Sequence, residues 1–114
     1  MHPIPLKLRD KMANDNSMLI CIYNNKDCSR RVEWEHAWNY AGKQIQEEWA
    51  IIPCCTYHHR GNGLDKDFNR YKSLIKAFSL SDRGLIDIIK KYPRKNWLQE
   101  WVYLRNKYEK NTYN

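Results

Sequence analysis

The sequence lacks any long apolar run, any repeat and any low-complexity tract. No stretch approaches the roughly 20 apolar residues that an α-helix needs to cross a bilayer. Residues 1 to 5 also lack the apolar stretch that marks a secretory signal peptide. We therefore expect a cytoplasmic protein that does not span a membrane.

Acidic residues are in deficit, because 13 Asp and Glu stand against 20 Lys and Arg and give a net charge of +7. A basic surface favours polyanionic partners, of which nucleic acid is the commonest. Many small soluble proteins are basic without binding DNA, so charge alone leaves the partner open. The 114 residues fit one compact domain with a small core, and chains of this size often gain stability from a structural metal.

The first half of the chain has the pattern of two short strands. Residues 5 to 13 predict a short helix. Apolar and polar side chains alternate over residues 31 to 36, which is typical of a strand. Residues 49 to 52 predict a second strand, ended by Pro53, and we expect the intervening residues 38 to 48 to form a loop.

The second half has helical spacing. Apolar residues recur every three or four positions over residues 64 to 78, which predicts a helix. A second helix is expected from about Leu85 to before Pro93, and Asn96 can cap a last helix. The predicted fold class is therefore α+β, with a small strand–strand–helix core followed by two or three packed C-terminal helices. We expect an N-terminal arm at 1–17, the core domain at 18–78 and a helical extension at 79–114, all within one compact domain.

Cysteine and histidine are concentrated in one part of the chain. Three of the four histidines lie within residues 36 to 59, Cys21 and Cys28 lie just upstream, and Cys55 and His58 are separated by two residues. The spacing of Cys55 and His58 allows both side chains to bind one tetrahedral zinc ion. In a reducing cytoplasm, metal ligands or buried thiols are more common than disulfides.

Glu35 and His36 form a second candidate pair, at the end of the first predicted strand. A carboxylate can bind a hard cation such as Mg²⁺ or Mn²⁺, while a histidine beside it can take a proton from water. Hydrolysis of a phosphodiester requires both roles. A strand whose polar face merely carries Glu and His is the alternative.

These segments together resemble the HNH (ββα-metal) nuclease family in its zinc-knuckle form. The sequence PCCTYHHRG at residues 53 to 61 is similar to the PLCxxHHRG form of phage recombination-associated nucleases of the Ref type. The sequence EWEH at residues 33 to 36 resembles a segment of the bacterial endonuclease I group. The resemblance covers roughly residues 21 to 69.

The resemblance implies a role for each matched position. His36 would be the general base, and Glu35 and His59 would hold a catalytic Mg²⁺ or Mn²⁺. A structural Zn²⁺ would be bound by the remaining ligands, which are Cys21, Cys28, Cys55 and His58. The implied partner is DNA, with branched and single-stranded forms left open, in the cytoplasm of a bacterial host if the gene is phage-encoded.

The sequence departs from the family pattern at three points. Cys21 and Cys28 are seven residues apart, where the family usually has CxxC. Cys54 replaces a leucine, so we interpret it as a buried strand residue. The middle Asn of the motif has no counterpart, and Asn62 or Asp65 could add a metal ligand only at a loose spacing.

Basic and aromatic residues border the motifs. Arg31, Lys43 and Arg60 are the predicted DNA contacts, although a solvated surface charge is the commoner role for such residues. Trp34 and Trp38 flank His36 and are expected to pack in the core, with base stacking as the minority interpretation.

Two other functions remain open at this point. The chain could be a zinc-stabilised nucleic-acid-binding module without catalysis, in which Glu35 and His59 play no part. It could also be a disulfide-linked or metal-free helical protein.

Overall fold

The computed structural model describes residues 4–29, 31–59 and 65–109. Helices and a small antiparallel sheet are combined in them, which confirms the predicted α+β class. Two 3₁₀ turns lie at Asn16–Leu19 and Glu48–Ala50. The other elements are α1 (Leu6–Ala13), β1 (Val32–His36), β2 (Asn39–Tyr40), β3 (Lys43–Gln44), β4 (Ile51–Cys55), α2 (Thr56–His59), α3 (Lys66–Leu80), α4 (Leu85–Lys91) and α5 (Trp97–Glu109).

Strands β1 and β4 form the sheet that organises the candidate site. They pair antiparallel, with Val32 opposite Cys55 and His36 opposite Ile51. Side chains alternate between the two faces of a strand, so Glu33 and Glu35 leave β1 on the same face. The register puts Cys55 beside the first residue of β1 and His36 at the opposite end of the sheet.

The second strand differs from its predicted bounds. It begins at Ile51 and not at residue 49, and it runs through Pro53 to Cys55. Proline lacks the N–H that a central strand must donate, but it is tolerated in an edge strand. Since β1 is the only strand paired with β4 in the described residues, Pro53 does not end the strand as predicted.

Residues 38 to 48 are not a plain loop, so that prediction is also wrong. They contain the hairpin of β2 and β3, in which Asn39 pairs with Gln44. Its turn uses positive φ angles at Ala41 (52°) and Gly42 (79°). Two successive positive φ angles are what a type I′ hairpin turn requires, and the glycine supplies the second at little steric cost.

Helix α3 follows the site segment and is capped by Asp65, whose side chain accepts hydrogen bonds from the N–H groups of Asp67 and Phe68. Both its ends fall two residues later than the predicted 64 and 78. The cap predicted for the last helix is confirmed, because Asn96 accepts a hydrogen bond from the N–H of Gln99 at 3.1 Å. None of the described helices combines the length and the apolar character that a bilayer crossing needs.

The larger core packs α3 and α5 against the segment that contains the hairpin. Its centre is aromatic, with the rings of Trp38 and Trp97 edge to face at 4.8 Å between centroids. Trp38 is 2% exposed and its indole N–H donates to the buried hydroxyl of Ser73 at 2.7 Å. Its predicted packing role is confirmed, since a buried indole is not accessible to a nucleic-acid base.

A second, smaller core fixes α1 to the sheet. It consists of Met12, Met18 and Ile51, with the ring of Trp34 packed against them. The indole N–H of Trp34 donates to the Met18 carbonyl at 2.9 Å. Trp34 therefore also packs as predicted, and it holds the middle of β1 in place.

Candidate metal centre and adjoining cleft

Four ligand atoms gather at the end of the sheet where β4 finishes. They belong to Cys21, Cys28, Cys55 and His58 and all lie within 4.8 Å of one another. The distances from the three sulfur atoms to His58 Nδ1 are 3.8, 3.6 and 3.0 Å respectively. Zinc bonds of about 2.3 Å to sulfur and about 2.0 Å to nitrogen, at tetrahedral angles, separate such atoms by about 3.6 Å. The cluster is compatible with a zinc site, and its members are the four residues that the family resemblance implied.

Local structure explains how Cys55 and His58 meet. Cys55 is the last residue of β4, and His58 lies in the short helix α2 that follows directly. Three residues make nearly one turn of helix, so the two side chains project to the same side. The hydroxyl of Ser29 accepts a hydrogen bond from the N–H of Tyr57 at 3.2 Å and ties this turn to the upstream segment.

The wide spacing of Cys21 and Cys28 is accommodated by a reversal of the chain between them. The N–H of Ile22 donates to the Pro53 carbonyl at 3.0 Å and attaches this segment to β4. The backbone then turns at Asn24, where φ is 41°. The N–H of Asn25 donates to Cys28 Sγ at 3.4 Å, so Cys28 returns to the cluster despite the departure from CxxC.

The cysteines differ in how readily they ionise. Burial acts to raise the pKa of Cys55, but hydrogen bonds from His58 and Ser29 outweigh it and lower that pKa to about 6. Burial raises the pKa of Cys28. Since zinc binds thiolates, the lowered pKa of Cys55 favours coordination by that residue. Cys54 is fully buried, lies outside the cluster and has its pKa raised by burial, which confirms the prediction of a buried strand residue.

A small cleft lies at the other end of β1. It encloses about 160 Å³ and is bordered by both Glu35 and His36, the predicted catalytic pair. Helix α3 supplies the opposite wall through Lys66, Asn69 and Arg70. These three positions are spaced i, i+3 and i+4, which places them on one face of the helix.

Glu35 is held at the base of this cleft by a buried amide. Asn69, only 3% exposed, donates from Nδ2 to Glu35 Oε2 at 3.1 Å. Burial raises the pKa of Glu35, and the nearby charges of His59, Lys66 and His36 oppose part of that rise. The carboxylate is therefore partly desolvated and close to the ammonium group of Lys66 and to two imidazole rings.

His36 is oriented by Gln46. The His36 Nε2 atom lies 2.8 Å from the amide oxygen Oε1 of Gln46. A carbonyl oxygen can only accept a hydrogen bond, so Nε2 carries the proton in this arrangement. In the neutral ring Nδ1 then holds the free lone pair, which is the feature that a base requires.

His59 is paired with a carboxylate that was not among the predicted site residues. Its Nδ1 atom lies 2.9 Å from Oε1 of Glu33. Glu33 and Glu35 share one face of β1, so the alternation of the strand was the signal that could have identified Glu33. Among the described residues these acidic and imidazole groups do not form a second metal-ligand cluster as compact as the first.

The other predicted contacts are dispersed. Arg31 and Lys43 are both exposed, and Arg60 and Asn62 lie outside the described residues. Asp65 caps the start of α3 and is not a member of the metal-ligand cluster.

A second cleft of about 280 Å³ adjoins the first and shares Asn39 with it. It is bordered by Arg94 and Lys95. Arg70 from the first cleft and Lys95 from the second each lie 5.4 Å from the centroid of the Trp38 ring. The two clefts share Asn39, and together they are bordered by four cations, Lys66, Arg70, Arg94 and Lys95, which we call the cation track and which were not among the predicted contacts.

No family model matches the chain, and no curated protein or solved structure matches it either. The functional assignment therefore depends on the chemistry of the cluster and of the clefts.

Proposed function

We propose that this protein is a metal-dependent endonuclease that hydrolyses DNA phosphodiester bonds, with His36 as the general base. The observation that carries the proposal is the cleft in which Glu35 and His36 face two cations, Lys66 and Arg70. Phosphodiester hydrolysis needs a base beside the attacking water and positive charge beside the phosphate. The cleft supplies side chains suited to each of these roles.

His36 is suited to accept the proton of water. The hydrogen bond to Gln46 leaves Nδ1 as its basic nitrogen, and His36 is one of the residues that line the polar cleft. As Nδ1 takes up the proton, the ring becomes cationic while Nε2 continues to donate to Gln46. Gln46 therefore keeps the base in one orientation through the reaction.

Glu35 and His59 are the residues that we assign to the catalytic metal, and Glu33 orients His59 through its hydrogen bond to Nδ1. Carboxylate oxygens together with an imidazole suit Mn²⁺ and, less closely, Mg²⁺. When bound, such a cation would stabilise negative charge on the phosphate and on the leaving oxygen. The chain contributes the placement of Glu35 by Asn69 and of His59 by Glu33.

The Cys/His cluster is assigned a structural Zn²⁺. Four protein ligands fill a tetrahedral zinc shell and leave no position for water or substrate, which is typical of structural sites. His58 in this cluster is followed directly by His59, so an ion there would also fix the short helix that presents His59. Catalysis is therefore assigned to the cleft and stability to the cluster.

The DNA backbone is assigned to the cation track. Phosphate contacts from Lys and Arg provide affinity without reading sequence. Arg70 and Lys95 both lie beside the Trp38 ring, and each also makes an ion pair, with Asp67 at 3.8 Å and with Glu100 at 3.9 Å respectively. Arg31, Lys43 and Arg60 remain predicted contacts at the periphery.

Nicking of supercoiled plasmid DNA in Mg²⁺ or Mn²⁺ tests the proposal. We expect His36→Ala to lower the cleavage rate by about 10²–10⁴-fold, the range for loss of a general base. The zinc content and thermal midpoint should stay at the wild-type values. Equal rates for wild type and His36→Ala would contradict the role of His36.

A zinc-stabilised DNA-binding module is the second candidate function. It is favoured by the spread of Glu33, Glu35 and His59, which among the described residues do not gather into a ligand cluster as compact as that of the four Cys and His ligands. Under this alternative the wild type would bind DNA and hold zinc, yet would cleave no plasmid with either metal. The nicking assay, run beside a DNA-binding assay, separates the two functions.

A further inference from the structure

A chain of contacts runs from the Cys/His cluster to Glu35, at the other end of β1. It begins with Tyr23, whose ring stacks on the imidazole of His58 at 4.4 Å between centroids and 18° between planes. Tyr23 lies between Cys21 and Cys28, so it belongs to the segment that an ion in the cluster would fix. The position of its hydroxyl is therefore set by the cluster.

The Tyr23 hydroxyl is fully engaged at the start of α3. It accepts a hydrogen bond from the Asp65 N–H at 2.9 Å, and of the two acceptors in reach of its proton, Asn69 Oδ1 at 2.6 Å is nearer than the Asp65 carbonyl at 3.2 Å.

Asn69 passes this constraint to the carboxylate. With Oδ1 bonded to Tyr23, its Nδ2 group is directed to Glu35 Oε2 at 3.1 Å. The donors and acceptors agree along the whole path, since the hydroxyl donates to the amide oxygen and the amide donates to the carboxylate. Asn69 is 3% exposed, so bulk water is a poor substitute for either partner.

From these contacts we infer that Tyr23 and Asn69 are positioning residues, which make the geometry of Glu35 depend on the integrity of the Cys/His cluster. The inference rests on the proposed function, in that it takes Glu35 as a ligand of the catalytic metal. Asn69 holds Oε2, and Oε1 is the oxygen that we assign to the cation. Loss of the ion from the cluster would release Tyr23, then Asn69, and would leave Glu35 without a fixed orientation.

Binding of Mn²⁺ to the zinc-loaded protein, measured by electron paramagnetic resonance of the free ion, tests this inference without any cleavage assay. Loss of a group that orients a metal ligand typically weakens metal binding by about 10- to 100-fold. We expect an effect of this size for Asn69→Leu. A smaller weakening is expected for Tyr23→Phe, which removes the hydroxyl but keeps the ring that stacks on His58.

Tyr108→Phe is the matched control. The Tyr108 hydroxyl donates to the carboxylate of Asp65, so this variant also loses a phenolic hydroxyl at the cap of α3 but breaks no contact on the path to Glu35. Its Mn²⁺ affinity should equal that of wild type. All variants should retain one zinc per chain, which shows that the cluster itself is intact.

Two results would overturn the inference in distinguishable ways. If Glu35→Gln weakens Mn²⁺ binding while Tyr23→Phe and Asn69→Leu bind as wild type, the link is wrong but the metal assignment stands. If Glu35→Gln also binds Mn²⁺ as wild type, the link and the assignment of Glu35 to the metal fail together.

Discussion

The two ends of one short sheet differ in how far their functional groups have converged. At one end, Cys21, Cys28, Cys55 and His58 already lie within 4.8 Å of one another. At the other end, Glu35 and His36 border a cleft, and each is bonded to a protein amide. The strand β1 is five residues long, so its ends are only about 13 Å apart at about 3.3 Å per residue.

The difference follows from what each site requires. A closed set of soft ligands is complete without solvent or substrate, so the fold alone can bring it together. A site for hydrolysis must leave room for water, a phosphate and a hard cation, and its side chains are held near their working positions by neighbouring groups. We therefore expect damage to the first site to affect folding and damage to the second to affect activity.

The largest expected effect is the loss of a ligand from the Cys/His cluster. Zinc binding supplies about 10–16 kcal/mol of apparent folding free energy in small zinc-dependent domains. We expect Cys28→Ser to lose the bound zinc and much of the cooperative thermal transition. The small cores of this chain would then have to stabilise the fold without the free energy of zinc binding. Zinc per chain by mass spectrometry and melting by circular dichroism measure both.

Cys54→Ala is the control for that experiment. Cys54 is as buried as Cys55 but lies outside the cluster, so this variant should keep one zinc per chain and a cooperative melt. If Cys28→Ser retained its zinc and its melting temperature, the cluster would not be a structural metal site.

A smaller effect, confined to activity, is expected at the other end of the sheet. Gln46→Leu removes the acceptor that fixes His36, and loss of such an orienting partner typically costs about 10- to 100-fold in activity. Gln44→Leu, two residues away, should leave cleavage unchanged. It should also stabilise the fold by about 1 kcal/mol, because Oε1 of Gln44 is buried and has no hydrogen-bond partner among the described residues.

Cleavage rates with saturating Mn²⁺, together with urea denaturation, distinguish these outcomes. A drop in activity for both variants would point to general disruption of the hairpin. Unchanged cleavage for Gln46→Leu would show that His36 does not depend on this hydrogen bond.

The sequence was a good guide where a local rule decides the structure. Alternation predicted β1, capping predicted the start of α5, and the spacing of Cys55 and His58 suited a shared metal. It failed at Pro53, since a proline ends a strand only when the missing N–H would be needed there. It also missed the hairpin at 38 to 48, because two short paired strands leave almost no periodic signal.

In the candidate site, sequence patterns also failed to identify residues whose role depends on contacts between elements that are distant in the sequence. Glu33 was recoverable from the strand pattern, but Asn69 was not, because its importance depends on α3 packing across β1 so that one buried amide meets Glu35. Lys66 and Arg70 were equally hidden, since a basic residue on a helix is usually a solvated charge until the facing wall is known. Tertiary contacts, and not residue type, identify these positions.

The smallest expected effect tests whether DNA follows the cleft rather than the general positive charge of the chain. Lys66→Gln removes one cation from the cleft wall, whereas Lys90→Gln removes one from the exposed surface of α4. Each phosphate contact contributes about 0.9 to the slope of log affinity against log salt concentration. We expect Lys66→Gln to reduce the magnitude of that slope by about 0.9, the value of one phosphate contact, and Lys90→Gln to leave it unchanged. Fluorescence anisotropy in the His36→Ala background measures both slopes. Equal slopes for the two variants would mean that net charge alone drives binding. The cleft at the His36 end of the sheet would then not be a specific binding site for DNA.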